Sequence, residues 1–548
     1  TNFTNHTTGS RSQTINMHNI TGLIRWQPNA TTQITYHPAF SYSDNRSNGF
    51  NTVNSFNNFI PEIARSTNTD NNSGNNLQFE QTVEYNHQLK KEGESLSISH
   101  TFQVNPGNSS AYSINDLTSY TTGLSSYLLN RNTNSVNRSI SGDIGINYRY
   151  PLSKKIAIGV GVTGDYNHQV NNTLTYDIDP STGQYDIFLQ NVSSNLTRNL
   201  STENINPSVT YNFNQGMQLV LSANTRVQQV NNRFDRNLPD IDQHFATFLP
   251  SANLNLGNIS IGYQSDLTLP NIGDMIPYSV VFSPLFSVTG NPYLKPTKRN
   301  SFNLGYNTYK SESQISIGTN ANASFEQNSI FRQTTINSVG AETSTPINMN
   351  GRNLISLDGH LNKRFKKHNN LEFSTSTSLS ATSSHGFFEV NHQDGYQTTY
   401  NAGLNQSFSV NWNDIVDIEQ TYRFTNSVTK YSGINYNNQT YITHVADTHF
   451  NIFWPKRINI EGTYTYTYNP MVSPGFQKSS NLLNLSIAHA LLKKDKGEIK
   501  LSCYDILNKN ISSSRYVNAN TITDMQSQVL KRYFLVTLLF KFNKSLSK

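Results

Sequence analysis

The sequence lacks three features that usually organise a large protein: long hydrophobic runs, cysteine pairs and a high density of charge. Its 548 residues contain no stretch of about 18–20 uncharged apolar residues, the length that a membrane-spanning helix needs. The single cysteine, Cys503, cannot form an internal disulfide. Charged residues make up 14% and hydrophobic residues 35% of the chain, both below the shares of typical soluble domains. These absences exclude a helical membrane protein and a disulfide-stabilised fold.

Sequence motifs for catalysis are missing as well. The chain contains no Gly-x-Ser-x-Gly, Gly-x-x-x-x-Gly-Lys-Ser/Thr or His-Glu-x-x-His segment. His444 and His449 flank Asp447, but residues i and i+5 of a strand point to opposite faces, so this group predicts no metal site. The net charge of +6 is not clustered on basic helices or among stacked aromatic residues. We therefore predict a protein that is not an enzyme, holds no metal or cofactor, and does not bind nucleic acid.

Alternation of apolar and polar residues dominates what is present. Residues 140–150 place Ile, Gly or Tyr at even positions and mostly polar residues at odd positions, and the pattern restarts at 156–166 and 458–468. Aromatic residues reach 11% of the chain, which is too many for a disordered polar sequence. The pattern predicts β-strands with one apolar and one polar face.

Strand-like segments continue along the whole chain and predict roughly 21 strands. Short turns, as at 27–30, 90–93, 151–153 and 455–456, separate longer Asn/Ser/Thr-rich connections at 46–74, 105–136, 171–199, 269–298 and 510–525. Tight turns at one end and long loops at the other are typical of outer-membrane β-barrels. The predicted strands are 11–26, 31–45, 75–88, 94–104, 137–151, 154–170, 200–213, 216–230, 242–256, 257–268, 299–309, 312–326, 349–365, 369–383, 396–412, 414–429, 438–455, 456–470, 478–494, 496–509 and 526–543.

The three tryptophans support this interpretation. Trp26, Trp412 and Trp454 each lie where a predicted strand meets a short turn. An indole ring favours the membrane–water boundary, so we predict a periplasmic aromatic girdle there; packing in a soluble sandwich core is the alternative. An outer girdle at the opposite strand ends would include Tyr464, Tyr466 and Tyr468.

Acidic residues on the polar strand faces would line the lumen of such a barrel. Asp143, Asp165, Glu419 and Glu461 all fall on that face. They are either solvated residues of a wet interior or contacts for a plug or a polar solute. The sequence leaves both interpretations open.

Three segments resemble a known family. Gly290-Asn291-Pro292-Tyr293-Leu294-Lys295-Pro296-Thr297 leads into a predicted strand and resembles the long extracellular loop of TonB-dependent outer-membrane receptors, except that Thr297 replaces the usual Glu. The Asn-Pro and Lys-Pro pairs favour an extended entry to the strand. Residues 501–510 and the alternating residues from Phe534 to Phe542 resemble the last two strands of these barrels.

The resemblance implies an all-β fold: a large transmembrane antiparallel barrel of about 22 strands when complete, spanning residues 1–548, with long extracellular loops and short periplasmic turns. It implies an outer-membrane receptor and transporter that contacts lipid, binds an unidentified solute and works with a plug domain and a TonB-type energy-transducing protein. Because the first predicted strand already runs toward a short turn, we expect an odd number of strands, and the plug, before Thr1.

Two other functions stay open at this level. A barrel of this kind could serve secretion, assembly or surface display without transport, because fold alone does not fix function. A soluble β-solenoid adhesin is also rich in Asn, Ser and Thr, but it would show a fixed repeat, whereas the strand spacing here alternates between short and long.

Replacing Trp412 with Asp should impair membrane insertion. A lipid-facing charge costs up to about 2–4 kcal/mol at the bilayer midplane and less near the interface, so the loss should be partial. Folding into lipid vesicles, followed by the heat-modifiable gel shift, measures the effect. Insertion equal to that of the wild type would show that the facing predicted for residues 396–412 is wrong.

Overall fold

A computed structural model describes residues 3–214, 216–235, 239–276, 279–283, 286–337, 341–365, 370–472, 477–492, 496–510, 512–518, 521–527 and 529–540. Its first strands are β1 (Phe3–Thr21), β2 (Ile24–Asn29), β3 (Thr32–Asn57), β4 (Ala64–Gln88), β5 (Ser95–Ser119), β6 (Tyr127–Pro151), β7 (Ile156–Ile178), β8 (Tyr185–Phe188), β9 (Ser194–Asn214), β10 (Met217–Phe234), β11 (Ile241–Leu256) and β12 (Ile259–Thr268).

The remaining strands are β13 (Ser279–Ser283), β14 (Phe286–Thr289), β15 (Thr297–Lys310), β16 (Ile315–Gln327), β17 (Ser329–Ile336), β18 (Glu342–Met349), β19 (Asn353–Arg364), β20 (Leu371–Val390), β21 (Gln393–Trp412), β22 (Val416–Ser432), β23 (Gln439–Ile452), β24 (Ile458–Tyr468), β25 (Ser479–Leu491), β26 (Gly497–Tyr504), β27 (Ser512–Asn518), β28 (Thr521–Ser527) and β29 (Tyr533–Phe540). A 3₁₀ turn (Gln190–Val192) and helix α1 (Ile272–Met275) are the helical elements described. None of the described helices is long and apolar enough to cross a membrane.

One antiparallel ladder organises the chain. Of the 27 strands in the large sheet, five short ones (β8, β13, β14, β17 and β18) lie outside the ladder, and β1 and β2 are two segments of one strand that pairs with β3. The ladder therefore has 21 strands, each paired with its neighbour in the chain once the short ones are set aside. The predicted all-β barrel fold is confirmed, and the ladder has the roughly 21 strands predicted within this chain. The antiparallel pairing contradicts the β-solenoid hypothesis, because solenoids stack parallel strands.

The two faces of the ladder follow the predicted alternation. Ile144, Ile146 and Val162 share one face through the register of β6 with β7, and each is about half exposed. Facing residues on neighbouring strands continue this apolar band, as with Ile205 on β9. Exposed apolar side chains on one face of a sheet form the surface that lipid covers in a membrane barrel. We call it the outer face.

The opposite, inner face is polar, as predicted. Asp143 lies opposite Asp165, which lies opposite Thr202, and that row continues to Gln228 on β10. The two histidines of β23 separate by face: His444 pairs with Phe424 on the outer face, and His449 pairs with Glu419 on the inner face. Within the described residues there is no group of three or more His, Cys, Asp or Glu that could hold a metal.

Most of the predicted long loops at the outward end are strand instead. β3 and β4 stay paired through Ser55 and Ala64, and β5 and β6 through Leu117 and Tyr127, so much of 46–74 and 105–136 belongs to the ladder. The prediction of loops there was wrong because both faces of these extensions are hydrophilic. Alternation then disappears although the backbone pairing continues, and Asn, Ser and Thr side chains bond across the strands.

Above β15 and β16 the strand order changes. β19 begins only at Asn353, and beyond this point β17 pairs in parallel with the end of β20, at Gln333–Glu389 and Thr334–Val390. β18 then pairs with β17 and with β14, and β14 with β13. We call β13, β14, β17 and β18 the outward sheet. The segment Gly290–Pro296, which the sequence analysis identified, follows its strand β14.

The ends of the ladder each have one partner. Among the described residues, β1 pairs only with β3, and β29 only with β26. Phe542, the near-terminal aromatic named from the sequence, lies outside the described residues. An additional strand before Thr1 stays a prediction.

Ile144→Arg and Asn147→Arg lie on β6 with opposite facing, so their effects should differ. The first places a charge in the outer apolar band, at a cost of up to about 2–4 kcal/mol, whereas the second adds a charge to the wet inner face. We expect reduced insertion into vesicles for Ile144→Arg and near-normal insertion for Asn147→Arg. Equal tolerance would contradict the barrel, and reversed tolerance would shift the register by one residue.

Candidate functional site

The Gly290–Pro296 segment lies between β14 and β15 and is fixed by its backbone. A Cβ at Gly290 would collide with the backbone of Ile276, so only glycine allows this approach. The backbone N–H of Asn291 donates to the carbonyl oxygen of Asp274 at 2.7 Å. Pro292 occupies the second position of a turn closed by Leu294 N–H and the Asn291 carbonyl at 3.4 Å.

The Asn291 side chain joins this turn to the outward sheet. Its Nδ2 donates to the carbonyl oxygen of Pro346 on β18 at 3.1 Å, and its Oδ1 accepts from the backbone N–H of Tyr293 at 3.0 Å. The same amide therefore satisfies the turn and the neighbouring hairpin. Alanine at this position would remove both of these hydrogen bonds.

Two further amides hold the end of the segment. Asn348 accepts from the backbone N–H of Lys295 at 2.7 Å and donates to its carbonyl oxygen at 3.0 Å. Gln243 of β11 donates to the carbonyl oxygen of Leu294 at 3.1 Å, and the Leu294 side chain is 1% exposed. Pro296 has no N–H to satisfy, and the chain passes from it into β15.

A buried carboxylate lies beside the start of β15. Arg299 donates to Glu326 of β16 through Nε at 2.9 Å and Nη2 at 2.6 Å, and the Ser329 hydroxyl donates to the same carboxylate at 2.9 Å. Arg352 lies 3.6 Å away on its other side. Thr297, which replaces the family's usual Glu, donates instead to the Asn328 carbonyl at 3.0 Å. The charge at this junction thus comes from Glu326.

Helix α1 is the other element in contact with the site, because its Asp274 carbonyl accepts from the Asn291 N–H. Asn271 caps it by accepting from the Gly273 N–H at 3.0 Å, and Met275 is 1% exposed. Arg332 of β17 donates to Asp274 at 2.6 Å, which connects α1 to the outward sheet. Burial raises the pKa of Glu342 on the adjoining β18.

Sequence reasoning located the Gly290–Pro296 segment but missed the polar residues that hold it or lie around it. Gln243, Glu326, Arg332 and Asn348 come from four different strands. No local signal distinguishes them from other polar residues, because their contacts depend on which strands become neighbours.

The predicted girdle residues lie on the expected strand ends. Trp26 and Trp412 share the outer face with their strand partners Ile34 and Leu371, and Trp454 follows β23; all three are exposed. The tyrosines of β24 (Tyr464, Tyr466 and Tyr468) face Thr448, Ala446 and His444 on the outer face. Membrane contact of these residues stays a prediction.

The inner face carries several ion pairs. Lys500 donates to Glu461 at 2.6 Å, and Arg423 bonds Asp447, which also accepts from Thr465 at 2.7 Å. Arg226 donates to Asp266 at 3.0 Å. The lining is therefore strongly polar, with some of its charges paired within the wall.

Glu326→Ala should loosen the outward sheet. Loss of the carboxylate removes the partner of Arg299 and Ser329, and an unmade bond of a buried or charged group costs about 1–3 kcal/mol. Limited proteolysis of the folded protein should cut near 290–296 faster than in the wild type. Glu312→Ala, in the exposed turn after β15, is the control and should leave the cleavage rate unchanged. Equal rates for the two variants would contradict a structural role for Glu326.

Comparison with known proteins agrees with this architecture. A family model described as "Outer membrane protein beta-barrel family" matches residues 87–413. No curated protein sequence shows significant similarity to the chain. Among solved structures, the Pseudomonas aeruginosa receptor FpvA bound to heterologous pyoverdines is 9% identical, with 98% of this chain and 71% of that chain covered and a TM-score of 0.46.

Two other solved structures are similar at the same level. The siderophore receptor PirA from Pseudomonas aeruginosa is 12% identical over 86% of this chain and 79% of its own, with a TM-score of 0.36. The ferric yersiniabactin uptake receptor FyuA from Yersinia pestis is 9% identical over 97% and 79%, with a TM-score of 0.39. Such values carry no weight for ligand or mechanism. The family match covers more than half of the sequence, so the chain belongs to the outer membrane protein beta-barrel family and is located in the outer membrane.

Proposed function

We propose that this protein is an outer-membrane receptor and transporter barrel that captures a solute at its outward end and passes it along the inner face. The observation that carries the proposal is the fixed Gly290–Pro296 segment at the outward end of the ladder. Side chains of two strands, Gln243 of β11 and Asn348 of β18, hydrogen-bond its backbone, and the side chain of its own Asn291 donates to the Pro346 carbonyl of β18. A preorganised surface lowers the entropy cost of binding.

The inner face supports passage of a polar solute. Some of its charged groups are paired within the wall, as in Glu461–Lys500 and Arg226–Asp266, whereas Asp143 lies opposite Asp165. A lining of this kind offers a polar solute both hydrogen bonds and charged groups. The work is binding and translocation, with no covalent step, so we do not assign an enzymatic activity.

The plug and the TonB-type partner belong to this proposal through the resemblance of residues 290–297 and 501–510 to TonB-dependent receptors. Energy would then reach the barrel through a plug that lies in a segment before Thr1. A barrel that serves secretion, assembly or display is the alternative.

Passage through the barrel can be measured with the 548-residue chain in vesicles. If the lumen conducts solutes, folded chain should make vesicles swell in glucose and, more slowly, in raffinose, without any energy source. Heat-denatured chain at the same protein-to-lipid ratio is the control. Folded, inserted protein that causes no swelling would contradict transport and favour the alternative.

A further inference from the structure

The inner face of β10 is buried at its outward end, unlike most of the ladder. Gln228, Val230, Asn232 and Phe234 are all buried, and Val230 and Asn232 are only 1% and 0% exposed. Gln229 and Arg233, which point to the outer face, are exposed. A single sheet cannot bury one of its own faces. Something therefore covers this wall from inside the barrel.

The described residues that reach this wall include 270–276 and 286–296, which we call the inner segment. Leu249 of β11, on the same inner face, is 2% exposed, and Met275 and Leu294 of the inner segment are both 1% exposed. Gln243, three positions further along the inner face of β11, donates to the Leu294 carbonyl. This hydrogen bond joins the inner segment to the inner face of β11, beside the buried face of β10.

The inner segment is also tied to the opposite side of the site. Arg332 bonds Asp274 at 2.6 Å, and Asn348 bonds both backbone groups of Lys295. Contacts on both sides leave it little freedom to swing away from the wall. Where the inner segment lies inside the lumen, it reduces the open cross-sectional area.

Tyr293 projects from the free side of the inner segment. It follows Pro292 at the turn whose other side carries the buried Leu294, and its side chain is 86% exposed, more than any other large aromatic of the described residues. The backbone on each side of it is hydrogen-bonded. An aromatic ring held on a fixed backbone contacts a ligand at low entropy cost.

We propose that the inner segment forms a constriction at the outward mouth of the lumen and that Tyr293 is the residue that passing solutes contact there. The solutes that fit best carry a ring with an apolar face, such as a sugar ring, which can lie on the phenol while neighbouring amides meet its hydroxyls. This inference rests on the proposed passage of solute through the lumen. It adds the position and the residue that select among solutes.

Cysteine accessibility in planar bilayers tests the proposal. Tyr293→Cys is made in a Cys503→Ser background, and the potassium chloride current is recorded before and after a bulky, positively charged thiosulfonate is added from the outward side. Phe59→Cys is the matched control, because Phe59 is 79% exposed in the connection between β3 and β4, away from the inner segment. Mass spectrometry verifies that both cysteines are modified.

We expect modification at position 293 to reduce the current and modification at position 59 to leave it unchanged. Tyr293→Ala should in turn raise the conductance and speed vesicle swelling in raffinose more than in glucose. A current that is unaffected by verified modification at 293 would overturn the constriction while leaving transport intact. Absence of current from the folded, unmodified background chain would overturn the proposed function and this inference together.

Discussion

The unbroken backbone hydrogen-bond ladder is the constraint on which the rest of the structure depends. In lipid, each unpaired N–H or C=O group costs several kcal/mol, so strands must pair side by side before side chains contribute anything. Once β3 is paired with β4 from Thr32–His87 to Ser55–Ala64, its side chains need only suit one face or the other. This is why a chain with 35% hydrophobic residues can serve as a membrane barrel. Only the outer band has to be apolar.

The same constraint explains which parts of the fold could be predicted. Where one face meets lipid and the other water, as along Ile144 and Asn147, the sequence alternates and strand, facing and order follow from it. Where both faces meet water, as beyond Asn45 on β3, alternation vanishes while pairing continues, and loops were predicted in error. The number of ladder strands was predictable because each of them carries at least one stretch in which polar and apolar residues alternate.

The candidate site was predictable only in part, for a different reason. Gly290, Asn291 and Pro292 specify a turn through local chemistry, so a short motif was enough to locate it. The groups that fix the turn are distant in the chain: Asn348 lies 53 residues from Lys295, and Gln243 lies 51 residues from Leu294. Asn348 reaches Lys295 because β18, on which it lies, pairs with β17 and β14 beyond the ends of β15 and β16. No pattern within one strand encodes that pairing.

Few side chains of the described residues are fully buried, and the places where they occur bear on how a solute would pass through the lumen. A one-layer wall leaves its side chains exposed to lipid or to the lumen, so residues such as Val230, Leu249 and Leu294 can be buried only where a second layer lies against the wall. A second layer inside a barrel must narrow it. In the proposed constriction, the contacts that stabilise the inner segment therefore also set the width of the mouth, and the buried Leu294 and the exposed Tyr293 are neighbours in the turn that forms it. Stability and selectivity depend here on two adjacent residues of the same turn.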